Sequence, residues 1–240
     1  MAGLLLILAH PDDETFFAGG TIAKYAALSI PIGLVCATRG EHGATADLCS
    51  LDELPAVREA ELRDAAGILG IRDLDVLRYE DQKLWAAPIE AIRRQIVAAV
   101  RRQRPQVVMT FDPHGANQHT DHIAIGRFAM DAVSAAADAR WYPETGEAHN
   151  VQRLLWPSPI SPFDLGHVAE VGHQPGVDIL IRIAPFHGKK ESALRAHRTQ
   201  FPGLVTIFNR DGALSWEAFR IAWGQRPDSV PVDDLFANLS

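Results

Sequence analysis

The chain alternates between two rhythms of apolar and polar positions. Short apolar runs recur at 4–9 (LLLILA), 31–38 (PIGLVCAT) and 107–111 (VVMTF), with a further strand expected over 75–79. Runs this short and this apolar suit strands buried on both faces of a parallel sheet. Between them the apolar residues fall at helical spacing, over 15–28, 55–69 and 88–104. In the last of these Ile89, Ile92, Ile96 and Val100 share one stripe. Pro55 stands at a favoured first-turn position, and Gly70 is placed to cap the C-terminus of that helix. Another helix is expected over 122–137, with Ile123, Phe128, Met130 and Val133 available to the core. The pattern loosens over 141–176, where prolines cluster around one strand-like stretch at 151–156. A strand over 176–183 and a helix from Pro185 towards Gln200 follow, and the tail with Phe219, Trp223, Leu235 and Phe236 is expected to pack on the domain.

Strands alternating with helices give a parallel sheet covered on both faces. The fold expected is therefore α/β, a Rossmann-like three-layer sandwich with a mostly parallel central sheet. Residues 1–240 are expected to form a single domain, with the loop-rich 141–176 region shaping a substrate site, since loops of that length are usually functional or mobile. No GxGxxG fingerprint follows a strand, which argues against dinucleotide binding.

Two strand ends carry the chemistry. The first apolar run ends in His10, Pro11, Asp12, Asp13 and Glu14. Three adjacent carboxylates repel one another, and a divalent cation relieves that repulsion; His and Asp are good zinc ligands. The alternative is a helix N-cap at Asp12 or Asp13 beside an exposed His10. The run at 107–111 ends in a loop with His114, His119, Asp121 and His122. In open α/β sheets ligands bind at the carboxyl ends of the strands, so two such ends with complementary donors favour a shared metal over two unrelated caps. Three protein ligands and one open position is the pattern of catalytic zinc.

The same residues resemble the PIG-L/LmbE-like zinc deacetylases, which remove acetyl groups from N-acetylglucosaminyl compounds. The likeness rests on AHPDDE at 9–14, Gly19-Gly20, TRGE at 38–41, Arg58 and Glu61, Asp81, HTDH at 119–122, and the 190–200 segment, and it runs nearly end to end. It implies one Zn²⁺ per chain held by His10, Asp13 and His122. Asp12 is implied as general base, His119 as the group that stabilises the oxyanion or protonates the departing amine, and Asp121 as a residue that orients His119. Arg58 and Asp81 are implied as substrate contacts. Which Asp of the pair is ligand and which is base follows from the resemblance alone; spacing leaves it open. The chain departs from the family's GHPDH motif, carrying Gln118 and Thr120 in place of the Gly and Pro.

Composition narrows the partners. A net charge of −7 with no basic block disfavours nucleic acid. Cys36 and Cys49 make no CxxC pair, so neither a disulfide scaffold nor a thiolate metal site is expected. The N-terminus has no positive leader, and its apolar run is far too short to span a bilayer, so no membrane insertion and a cytoplasmic residence are expected. The expected partner is a small N-acetylated sugar conjugate; a homo-oligomer is left open. The competing functions are another metal-dependent amidase or phosphoesterase, and a non-catalytic sugar-binding protein on the same fold.

Overall fold

A computed structural model describes residues 3–158, 176–203 and 215–240. The apolar runs become strands β1 (Leu4–Leu8), β2 (Ile32–Thr38), β3 (Asp73–Tyr79) and β4 (Val107–Met109), followed by β5 (Arg153–Pro157), β6 (Ile179–Arg182) and β7 (Trp216–Gly224). They form one seven-stranded sheet in the order β3-β2-β1-β4-β5-β7-β6. Strands β1 to β5 are mutually parallel, and β7 runs antiparallel to both of its neighbours. Every residue of β1 and β2 is buried, as strands covered on both faces require.

The helices are α1 (Asp13–Ala27), α2 (Leu54–Leu69), α3 (Ile89–Gln103), a single turn α4 (Gly115–Gln118), α5 (Thr120–Ala136) and α6 (His187–Ala196). From β1 the chain steps outward to β2 and β3, then returns across the sheet to β4 and β5. Right-handed crossovers therefore put α1 and α2 on one face and α3 and α5 on the other. Helices α1, α2 and α6 pack together, as do α3 and α5. The reversal of strand order falls between β1 and β4, and the crevice at such a switch point is where open α/β sheets bind ligands. Both candidate motifs leave the sheet there.

Two expectations on packing are corrected. Residues 216–224, expected only to pack on the domain as part of the tail, form β7 inside the sheet, between β5 and β6. Its inward row contains Glu217, only 3 % exposed, whose carboxylate accepts from Lys190 Nζ at 2.6 Å and from the backbone of Gly20 and Thr21 at 2.9 and 2.7 Å. Ile89, Met130 and Trp223, expected against the core, are exposed instead. Arg58 and Glu61 are both buried and have different partners. The tail does dock: Leu235 is buried, and the buried Arg153 guanidinium donates to the carbonyls of Gln225, Leu235 and Ala237. Of the loop-rich 141–176 region, residues 159–175 lie outside the described residues. Among the described residues no helix is long and apolar enough to cross a membrane.

Candidate metal centre

The first loop turns sharply as it leaves β1. Asp12 has φ 105° and ψ −27°, left-handed backbone that an L side chain rarely adopts. It stands at the N-cap of α1 but makes no capping bond with its side chain. Its carboxylate instead accepts from Arg58 Nη2 at 3.0 Å. Asp13, the next residue, folds back on the strand end: the N–H groups of Ala9 and His10 donate to its Oδ2 at 3.2 and 2.8 Å. Its Oδ1 is left 3.2 Å from His122 Nε2. The alternative of an exposed histidine beside a capping aspartate therefore fails, since His10 is only 8 % exposed.

The second loop presents two imidazoles with defined protonation. His122 Nδ1 donates to the Gly115 carbonyl at 3.1 Å, which leaves the Nε2 lone pair for a ligand. Gly115 sits at φ 71°, and a Cβ there would lie 2.9 Å from His122 Cβ, so the turn that delivers this carbonyl requires glycine. Phe111, at the end of the apolar run, stacks on the His122 ring at 3.9 Å and 2°. His119 is the N-cap of α5, and its Nδ1 accepts the Asp121 N–H at 3.2 Å. With Nδ1 accepting, the neutral ring carries its proton on Nε2.

Asp121 relates to His119 through its backbone, whereas its carboxylate points elsewhere. It accepts from Gln82 N at 2.6 Å and Leu84 N at 3.1 Å, tying the loop after β3 to α5. Its Oδ2 is also 3.3 Å from His10 Nε2, and Asp81 Oδ1 is 3.1 Å from the same nitrogen. Donation from Nε2 to this carboxylate pair leaves the His10 Nδ1 lone pair on the side of Asp13, whose Oδ2 is 3.6 Å away.

The rings of His10, His119 and His122 lie 4.7–5.2 Å apart by centroid, close enough to share one ion. Two sets among the described residues, His10/His119/His122 and His10/Asp81/Asp121, have one donor atom per residue within 4.8 Å of one another. Asp13 belongs to neither set, although it touches both His10 and His122. The electrostatics fit a cation. Burial opposes a charge on His10, but Asp121, Asp13 and Asp81 together raise it well above its ordinary value. Burial would lift Asp13, but His122 and His10 hold it far below the carboxylate range. Asp12 behaves oppositely: burial pushes it up to about 6 against the pull of Arg58, with the Asp13 charge adding to the rise. Burial and the neighbouring His10 and His122 lower His119.

These groups open into a cavity of about 440 Å³ lined by His10, Asp12, Asp13, Arg58, Asp81, His119 and His122, while Asp121 stands behind the wall. His42, Gln82, Asn117 and Gln200 also line it, and sequence reasoning does not single them out. His42 follows β2, so its place at a strand's carboxyl end is the available signal; Gln200 reaches the cavity only through tertiary packing. Arg58 is only 4 % exposed and donates to the carbonyls of Gly40 and Pro11 as well as to Asp12. Asp81 accepts from His42 N at 3.0 Å; burial would raise it, but His10, the His42 N–H and the Arg58 charge together hold it well below the usual carboxylate range.

The departure from the GHPDH pattern keeps its backbone geometry. Gln118 adopts φ 66°, the left-handed conformation a glycine would take without strain. Thr120 is the first residue of α5, the position where proline is favoured. The double substitution Gln118→Gly and Thr120→Pro is therefore expected to stabilise the fold by about 1 kcal/mol. Calorimetry should show Tm rising by roughly 2–4 °C; a fall would mean that the loop is built differently.

Residues 5–133 match the family model of the GlcNAc-PI de-N-acetylases, PIG-L. The chain is 33% identical to a 1D-myo-inositol 2-acetamido-2-deoxy-alpha-D-glucopyranoside deacetylase of Geodermatophilus obscurus, covering 98% of this chain and 97% of that one. Its fold superposes on a conserved protein of Thermus thermophilus with a TM-score of 0.72, at 29% identity over 94% of this chain and 96% of that one. The N,N'-diacetylchitobiose deacetylase of Pyrococcus horikoshii shares the fold at a TM-score of 0.72 and 24% identity, covering 91% and 83% of the two chains. The match over more than half the chain places this protein in the PIG-L family.

Proposed function

We infer that this protein is a zinc-dependent hydrolase that removes the acetyl group from an N-acetylglucosaminyl conjugate, a small soluble substrate met in the cytoplasm. The observation that carries the reading is the meeting of His10, Asp13 and His122 beside a second aspartate, Asp12, whose proton affinity is raised. His10, Asp13 and His122 would hold one Zn²⁺, with the imidazole lone pairs and the Asp13 carboxylate as donors. Bound there, a divalent cation supplies Lewis acidity, polarising the amide carbonyl and lowering the pKa of a water towards about 7.

The chain's own residues do the rest. Asp12 takes the proton of the attacking water, a role that suits a carboxyl titrating near neutrality rather than one locked as an anion. Arg58 holds that carboxylate in place from α2. His119, with its proton on Nε2, donates to the carbonyl oxygen as negative charge builds on it. Asp81 and Arg58, both on the cavity wall, receive the polar groups of the sugar. Asp121 orients His10 through its carboxylate and His119 through its N–H. A two-metal phosphoesterase is less consistent with this site, because both oxygens of Asp121, a candidate for a second ion, already accept backbone N–H groups, whereas Asp13 accepts them on Oδ2 alone.

The reading is tested by amine release from a panel of N-acetylglucosaminides, with metal content measured in parallel. Release is expected from the purified protein, lost on chelation and restored by one equivalent of Zn²⁺ per chain. Binding of these sugars without amine release would favour the non-catalytic alternative.

A further inference from the structure

One buried pair behind the cavity wall is left without a role by the mechanism above. His197, at the end of α6, and Glu14, in the first turn of α1, are both fully buried and 183 residues apart in the chain. His197 Nε2 lies 2.8 Å from Glu14 Oε1, and its Nδ1 is buried without a partner among the described residues. The other oxygen of Glu14, Oε2, accepts the backbone N–H of Asp12 at 3.1 Å. Asp12 is the residue held at φ 105°. Resting on the deacetylase reading, we propose that His197 is a positioning residue for the reaction: through Glu14 it keeps Asp12 in the left-handed conformation that aims its carboxylate into the cavity.

A left-handed residue with a side chain persists only where its surroundings over-determine it. Here the constraint comes from two sides. Arg58 grips the carboxylate of Asp12 and the carbonyl of Pro11, and Glu14 grips the N–H of Asp12. Glu14 can do this only if its carboxylate is itself fixed, and the bonds that fix it come from Thr15 Oγ1 and His197. His197 is fixed in turn. Thr199, two residues on, donates its N–H and hydroxyl to the two oxygens of the fully buried Glu61, at 3.0 and 2.7 Å. Glu61 stands on α2, the helix that also carries Arg58. Gln200 adds a bond from Nε2 to the Ala44 carbonyl at 2.7 Å and lines the cavity. Residues 197–200 thus join α6 to α2, and the pair acts on the backbone and the carboxylate of the same aspartate. The proposed metal ligands are gripped by other groups: His10 by Asp81 and Asp121, and His122 by Gly115. Loss of His197 should therefore displace the base and spare the ion.

The test compares His197→Met, which fills the space without a donor, with His197→Gln, whose side-chain amide can still donate to Glu14. Wild-type protein is assayed alongside, so that absence of amine release from it would count against the function and not against this role. His197→Met is expected to keep one Zn²⁺ per chain and an unchanged KM while kcat falls by about 10- to 100-fold, the scale of a small misplacement of a reacting group. His197→Gln should recover most of that loss. A crystal structure of the zinc-loaded Met variant should show Asp12 out of the left-handed region. Should His197→Met not fold, Glu14→Gln is carried through the same measurements, with the same split between kcat and KM expected. An unchanged kcat, a proportional rise in KM, or loss of zinc in the folded variant would overturn the proposal.

Discussion

Asp12→Asn is expected to retain its metal and lose hydrolysis by about 10²- to 10⁴-fold in kcat, the usual contribution of a general base. The amide is nearly the same size as the carboxylate and cannot take a proton. Asparagine also tolerates left-handed backbone better than most residues, so φ 105° at this position is not a reason for misfolding. Arg58 keeps an oxygen acceptor in the side chain and retains the Gly40 and Pro11 carbonyls. Steady-state kinetics with metal analysis on the same preparation reads both quantities. A variant with zinc bound and near-normal kcat would remove Asp12 from its role and leave the attacking water without a base.

His122→Ala should fail in a different way, losing metal and activity together. Replacing residues that merely orient ligands costs about 10- to 100-fold in metal affinity, and removing a ligand costs more than that. Phe111 stacks on one face of the ring and the Gly115 carbonyl holds its Nδ1, so among these two neighbours no nitrogen or carboxylate stands ready to take its place. Asp13 Oδ1, now facing His122 Nε2 at 3.2 Å, would also lose the imidazole beside it. The protein after gel filtration is expected to hold well under one equivalent of zinc and to release no measurable amine. Excess Zn²⁺ should not restore turnover to the wild-type level. Retention of a full equivalent would exclude His122 as a ligand.

The two variants separate because neighbouring aspartates have been given opposite environments. Asp13 is surrounded by imidazoles and two backbone N–H groups, all of which favour its anion. Burial, with the charge of Asp13, drives Asp12 towards the neutral form against the pull of Arg58. Groups whose environments push their proton affinities apart are suited to different jobs.

Much of this is legible in the sequence, where the determinants are local. Strands β1, β2 and β4 are readable as apolar runs because both of their faces are buried, and the donor residues stand together at two strand ends. Strand β7 escapes such a reading for a physical reason. Its buried row runs Glu217, Phe219, Ile221, so an inward glutamate breaks the apolar alternation, and the distant Lys190 with the N–H groups of Gly20 and Thr21 makes that burial tolerable. The same limit hides the function of Glu14 and Glu61. Both look like members of charged clusters, and their partners, His197 and Thr199, lie 183 and 138 residues away. Asp121 reads as a support for His119 because they are close in sequence, whereas its carboxylate serves His10 and the loop after β3, contacts set by the order of strands in the sheet.

Anomalous diffraction at the zinc edge from crystals of the metal-loaded protein tests the shared ion directly. A single peak within about 2.0–2.2 Å of a nitrogen of His10, a nitrogen of His122 and an oxygen of Asp13 is expected. A peak bound by only one of the two loops, or two peaks in the cavity, would contradict it.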